Sequence, residues 1–444
     1  MRKYFQSKRS LKLWGWSILN ALVLLFVCYI TDNLSMSILT GPSIVQRIEL
    51  AREFTVSHLQ KSKDSILKDS IEKEGKKIKK IVTRKDSILI NVYDFVIDNL
   101  KLDESKYLDD FVFVNIAYDR ELVPVLDDNG FQIGEIDVTD RLKLNEFLNR
   151  LGNSHKYILF DVLLSDKYQS PNDSLLIETL LNMERIAIAR TENHELRDKR
   201  LEDKTGYTDY TTNILETNFV KYEFRKNGSN TIASKAYKDL TGDKPVKQFG
   251  PFYFRDGHLQ WKSMTLRFPL KLWNPFIKKD EIPESGMIEE SIINLGQELE
   301  MGRDLEKLVK DKILVIGDFT EDDIHTTYMG PIAGPVINAN ALEALLNNEQ
   351  EIPWWLIGTL FALYAGVTFF LLKQYKVFNL MKILRLNNPV LQELVSFIGF
   401  SAFFAIIAGI IYLSSGKDIN VLIPSLWFTV LRGIINFKWK DLKA

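Results

Sequence analysis

VKDKILVIGDFTEDDIHTTYMGPIAGPVINANALEALL, residues Val309–Leu346, decides how the rest of the chain is read. Ile313–Ile316 is a short uninterrupted apolar run, the pattern of a strand covered on both faces. It ends at Gly317-Asp318, and a polar loop follows with Gly-Pro pairs at 330–331 and 334–335. From Asn338 to Leu346 the apolar residues Ala339, Leu342, Leu345 and Leu346 share one side of a predicted helix, which Asn338 could cap. A few residues later, at Pro353, the chain turns wholly apolar. A water-exposed α/β domain therefore closes here and runs straight into a membrane.

The chain has 444 residues, 26% of them charged, with a formal net charge of −1. That near-neutral average hides four windows almost free of charge: Leu13–Ile30, Pro353–Leu372, Leu394–Leu413 and Ile419–Phe437. Each approaches the roughly 20 residues that cross a bilayer as a helix. The fourth contains Pro424 and Arg432. Arg432 lies close enough to the Lys438 flank to snorkel, and a functional charge is the competing reading. Trp14, Trp16, Trp354, Trp355 and Trp439 stand at window ends, where indoles prefer the headgroup zone.

Lys and Arg set the orientation. Arg2, Lys3, Lys8, Arg9 and Lys12 precede the first window; Lys373, Lys376, Lys382 and Arg385 lie between the second and third; Lys438, Lys440 and Lys443 end the chain. Placing all three groups inside requires four crossings and puts both termini in the cytoplasm. Residues 32–352 are then outside, facing the periplasm or cell exterior from a multi-pass inner-membrane protein. No A-x-A-like site follows the first window, so it is expected to stay as an anchor. Cys28, the one cysteine, lies within that window, which excludes disulfides and cysteine-ligated metal from the exported part.

The expected organisation is a cytoplasmic N-terminus (1–12), a first span (13–30), a helical membrane-proximal region (32–110), an α/β domain (111–350), spans at 353–372, 394–413 and 419–437, and a cytoplasmic tail (438–444). The membrane-proximal region carries a lysine run from Lys61 to Lys80, read as a solvated helix face. Its location and lack of aromatic interleaving exclude nucleic acid. Within the domain, Phe111–Ala117, Tyr157–Phe160 and Ile186–Ala189 are predicted strands, separated by helices over Asp140–Leu151 and Asn172–Met183. That alternation implies a mostly parallel sheet with crossover helices. Asp127-Asp128-Asn129-Gly130 and Asp256-Gly257 mark two antiparallel hairpins.

Several segments in this order resemble the type-2 CHASE family, the extracellular sensor domains of bacterial cyclases and histidine kinases. They are VNIAYDREL at Val114–Leu122, KYILFDVLLSD at Lys156–Asp166, DGHLQWKSMTLRFPL at Asp256–Leu270, VKDKILVIGD at Val309–Asp318 and INANALEALL at Ile337–Leu346. One span before the domain and three after it is also similar to that family. The resemblance implies an exported sensor domain that passes a signal through its helices. Members usually continue into a kinase or cyclase, whereas about seven residues follow the last span here, so a separate signalling partner protein is expected.

Four carboxylates fall at or just beyond the carboxyl ends of predicted strands: Asp119, Asp161, Asp318 and Asp323. Ligands of open α/β sheets bind there. Together with Asn338 these are the ligand-binding candidates. Asp161 and Asp318 are the pair best placed to hold a divalent cation such as Mg²⁺ or Ca²⁺. The competing reading is that these groups only end strands and cap helices. No other cofactor and no catalytic residue is assigned: G-x-S-x-G, P-loop and H-E-x-x-H patterns are absent, and His325 reads as an ordinary loop histidine.

Two functions remain. One is a membrane sensor for an unknown small-molecule or protein ligand, compatible with a homodimer. The other is an envelope scaffold that binds another exported protein and senses nothing.

Overall fold

The computed structural model describes residues 2–33, 108–126, 129, 131–166, 169–208, 211–212, 219–226, 228–242, 246–270, 292–320, 323–327, 330–373, 389–417 and 419–441. Of the expected helical region over 32–110, residues 34–107 with the lysine run, and the basic residues Lys376, Lys382 and Arg385, lie outside these.

The described chain begins with helix α1 (Arg2–Asn33) and re-enters at strand β1 (Phe111–Asn115). A ribbon of β2 (Arg120–Leu126) and β3 (Gln132–Thr139) leads to helix α2 (Arg141–Arg150). Then come β4 (Tyr157–Phe160), α3 (Asp173–Asn182), β5 (Ile186–Arg190), β6 (Thr205–Tyr207) and α4 (Ile232–Thr241). A hairpin of β7 (Phe252–Arg255) and β8 (His258–Gln260) precedes β9 (Ile292–Asn294), α5 (Leu295–Met301) and β10 (Ile313–Gly317). The pair β11 (Ile324–Thr327) and β12 (Gly330–Ala333) comes next, then α6 (Gly334–Leu346), β13 (Glu351–Ile352) and three helices: α7 (Trp354–Leu372), α8 (Pro389–Ser415) and α9 (Leu422–Asp441).

The main sheet is parallel throughout, in the order β9-β1-β10-β4-β5-β6. Every residue of β1, β4 and β10 is buried. Their side chains alternate between two separate cores, as period-two geometry requires. Phe113, Leu159 and Val315 face a core completed by Ala236 of α4 and Ile337 and Leu342 of α6. Val114, Ile158, Phe160 and Ile316 face one completed by Leu144 and Phe147 of α2 and Leu176 of α3. Covering both faces is what a parallel sheet needs, and it explains why these strands read as unbroken apolar runs. Asp140 caps α2 by accepting from the Lys143 backbone N–H at 3.0 Å, and Gly242, at φ +65°, ends α4 in the left-handed conformation.

Three helices are long and apolar enough to cross a membrane: Leu11–Asn33, Trp354–Leu372 and Leu391–Tyr412. In α9 the apolar part, Leu422–Ile435, is shorter. The four helices share a core of Ala21, Leu24, Tyr364, Phe400, Phe404 and Phe428, with Asn20 bonded to Thr368 and Trp427. Arg432, midway along α9, donates to Ser396 Oγ in α8 at 2.6 Å, so its charge is anchored to a neighbouring helix.

Two expectations differ from the structure. The polar loop after β10 contains the β11–β12 hairpin, closed through Gly330 at φ +100°; four residues per strand, one of them a proline, are too few to display an alternating pattern. Helix α6 begins at Gly334 rather than Asn338, because Pro335 is accommodated in the first turn, where its missing N–H costs nothing.

Candidate functional site

Beyond the carboxyl ends of the parallel strands lies a cleft of about 690 Å³. Its walls come from β3, the start of α2, the segments following β4 and β5, and the residues following β10. Asp161, Asp318, Asp323 and His325 line it together with Arg120 and Arg141.

Asp318 ends β10, where its chain direction places it beside the ribbon. Arg120 Nη2 donates to its Oδ2. Its Oδ1 accepts from the Thr320 backbone N–H at 2.8 Å and from Thr320 Oγ1 at 2.7 Å. The Arg120 Nε donates to Ala117 O at 3.0 Å, so the guanidinium is fixed from two sides. A fixed cation thus sits where a metal bridging from Asp318 would be held.

Asp161 ends β4. Asn338 Nδ2 donates to its Oδ2 at 2.8 Å, and Tyr222 Oη donates to Asn338 Oδ1 at 3.0 Å. Burial pushes the Tyr222 phenol well above its ordinary range, so it remains a donor and fixes which way the Asn338 amide points. Asn338 is fully buried and lies one turn inside α6 rather than at its cap. The Asp161 carboxyl is pushed up to about 7, first by burial and then by the charge of Asp323; the Asn338 bond opposes both. Among the described residues no cation pairs with Asp161.

Asp323 pairs with His325 Nε2 at 3.0 Å. Its carboxylate also lies against the first turn of α6: a Cβ built on Gly334 would meet Asp323 Oδ2 at 2.4 Å. Glycine at 334 is therefore what lets the acidic hairpin approach that helix end.

Asp119 does not join this group. It is buried between α2 and α5, accepting from Lys143 Nζ at 2.8 Å and from the Gly296 backbone N–H at 2.9 Å. Its role is to hold two helices at the end of β1.

Two cleft residues escaped the sequence reading. Arg141 is 3% exposed, with its Nη2 donating to Leu163 O at 3.2 Å and its Nε ion-paired with Asp173 at 3.3 Å. Thr191 follows β5 directly. Nothing in the local pattern marks either one; Arg141 looked like an ordinary polar residue in the first turn of a helix. A buried arginine announces itself only once the sheet brings Asp173 and Leu163 to it.

Among the described residues no three His, Cys, Asp or Glu side chains converge as a metal-holding group. The arrangement offers two carboxylates within each other's field, the guanidinium groups of Arg120 and Arg141 lining the same cleft, and enough volume for a small organic ligand. No family model matches the chain, and neither a curated protein nor a solved structure is significantly similar to it.

Proposed function

We propose that this is a membrane-anchored sensor whose exported α/β domain binds a ligand in the cleft and reports it through the helices. The observation that carries this reading is the Asn338–Asp161 bond. It ties a cleft carboxylate directly to α6, and α6 leads through β13 into α7. The base of the domain is fastened to α1 as well. Tyr29 Oη donates to Gln260 O at 3.1 Å and accepts from the Tyr253 N–H, and Asn33 Oδ1 accepts from the Lys262 N–H at 2.6 Å. A ligand that binds one position of α6 better than another would shift α7 against α1, provided its affinity differs between the two. The cytoplasmic ends would then engage a separate partner. The ordered likeness to type-2 CHASE domains supports the same reading.

Its topology has four crossings, both termini in the cytoplasm and residues 32–352 outside. Lys417, in the α8–α9 turn, donates to the domain carbonyls of Asn348 and Glu349 at 2.9 and 3.1 Å. That contact supports placing this turn on the domain's side of the bilayer.

The reading is tested with the full chain in lipid nanodiscs, spin-labelled near Lys12 and Lys373. A panel of small metabolites is screened by thermal shift, and the α1–α7 distance distribution is recorded with each hit. A hit that moves the distribution in the parent and not in N338A supports sensing. Hits that leave it unmoved, or no hits at all, overturn it.

The scaffold reading has one observation in its favour. The β2–β3 ribbon exposes Leu122, Phe131 and Ile133, each about 70%, beside Tyr118. Exposed apolar residues along one ribbon suit a protein contact. Phe131→Glu that abolishes co-purification of an exported partner, with the cleft variants silent, would favour it.

A further inference from the structure

The two walls of the cleft carry opposite unmet needs. On one, Arg141 Nη1 has no hydrogen-bond partner although the residue is 3% exposed, and Thr191 Oγ1 is likewise buried and unpartnered. Both residues line the cleft. A buried guanidinium N–H and a buried hydroxyl ask for an acceptor, and a carboxylate supplies two oxygens in the geometry guanidinium matches best. On the other wall Asp161 and Asp323 face each other, Asp161 with no cation among the described residues. That pair asks for a cationic donor.

Arg141 Nη2 is bonded to the carbonyl of Leu163, two residues past Asp161, so both sets of groups belong to one cleft. A volume of about 690 Å³ admits a small organic molecule that meets both.

Resting on the ligand-binding reading above, we propose that the cleft binds a small zwitterion. Its carboxylate lies on Arg141 Nη1 and Thr191 Oγ1, and its ammonium lies between Asp161 and Asp323. An α-amino acid, a dipeptide with free ends and an unbranched ω-amino acid share this chemistry. The Asn338 bond places the ammonium end of the site beside α6, and the carboxylate end touches α2 and the segment following β5.

The test is calorimetric titration of the full chain in nanodiscs with alanyl dipeptides, 6-aminohexanoate, alanine, succinate and 1,5-diaminopentane. The expected result is binding of alanine, a dipeptide or 6-aminohexanoate, and weaker binding of succinate and the diamine. Which of the three binds separates α-amino acid, peptide and ω-amino acid. The C-terminal amide and the N-acetyl derivative of the binder should each bind roughly tenfold more weakly or worse. Thr191→Val should weaken the binder roughly two- to tenfold. R141Q should weaken it further, and the amide, N-acetyl and T191V arms decide the matter if R141Q does not fold. Equal binding of the amide and the free acid overturns the inference. So does binding of succinate, the diamine or a neutral metabolite at this cleft in place of the zwitterions, although the ligand-binding reading then survives. If no compound of any class binds, both fail.

Discussion

Asn338 Nδ2 donates to Asp161 Oδ2 across 2.8 Å, joining the end of β4 to the helix that leads into the membrane. Asn338 has no freedom to do otherwise, since Tyr222 Oη holds its other amide atom at 3.0 Å. Replacing Asn338 with Leu strands both partners in a buried site. Losing hydrogen bonds while leaving their partners buried costs on the order of 1–3 kcal/mol. N338L should lower the denaturation midpoint in detergent accordingly, and the double variant N338L/Y222F should recover part of the loss. Additive losses would show that the three groups are not one network.

Asp161 gives a pH signature. Its ordinary value of 3.8 is raised to about 7 by burial and by Asp323. The folded state therefore binds this proton more tightly than the unfolded chain does. The stabilisation is complete below about 3.8 and is lost as pH rises through about 7. D161N keeps an acceptor for Asn338 and removes the titration. At pH 8 it should melt higher than the parent, by roughly 2 kcal/mol, since the carboxyl borders the open cleft and is partly screened. Below pH 4 the two melting curves should coincide. Parallel curves from pH 4 to 8 would refute the assignment.

How far the sequence announced this site depends on the residue. Ile313–Ile316 and Tyr157–Phe160 were legible because strands covered on both faces leave unbroken apolar runs, and chain direction then put Asp161 and Asp318 at one edge. Asp323 was legible only as a loop acid. That it faces Asp161 depends on the β11–β12 hairpin, whose short strands carry no periodicity. Asp119 satisfied the same positional rule and went elsewhere, because the sheet order puts β9 and α5 beside β1 and Gly296 offers it a bare N–H. Arg141 and Thr191 were invisible, since their roles arise from partners distant in sequence. The third crossing helix was plain from length and charge; α9, with Pro424 and Arg432, stays shorter in its apolar part.

Gly317 is where β10 meets α6. A Cβ there would lie 2.3 Å from Pro335 Cγ and 3.3 Å from Asp161 Cβ. The proline ring cannot rotate away, and it belongs to the first turn of a buried helix. G317A should destabilise the domain by about 1–3 kcal/mol. It should also weaken ligand binding in the cleft, because relief requires α6 to move off Asp161. Unchanged stability by chemical denaturation would show that this junction is looser than the contacts imply.

Gly257 tests the topology. It occupies the exposed β7–β8 turn at φ +84°, and a Cβ there meets nothing within 4 Å, so an insertion is tolerated locally. A reporter enzyme active only in the cytoplasm should be silent when fused after Gly257 and active when fused after Ala444. Activity at Gly257 would reverse the orientation and with it the exported sensor.

Lys417 fastens the α8–α9 turn to the domain, with its Nζ on the carbonyls of Asn348 and Glu349. Arg267 pairs with the carboxylate of Glu349, so two cations meet at this corner. Burial, and secondarily Arg267, pull the Lys417 ammonium down to about 8, against the pull of Glu351. The folded state thus favours the neutral amine. Its contribution to stability is fully present above 10.5 and is lost as pH falls through about 8. The parent should gain stability between pH 8 and 10.5 relative to K417M, which cannot titrate. At neutral pH K417M loses both carbonyl contacts, so amide exchange over residues 347–352 should quicken in K417M and not in K373M, a lysine at the opposite end of α7. A sensor needs that corner stiff, because motion of α6 reaches the membrane only if the segment joining α6 to α7 does not absorb it. If exchange there is unchanged in K417M, the proposed sensor would have to use Tyr29 and Asn33 of α1 instead.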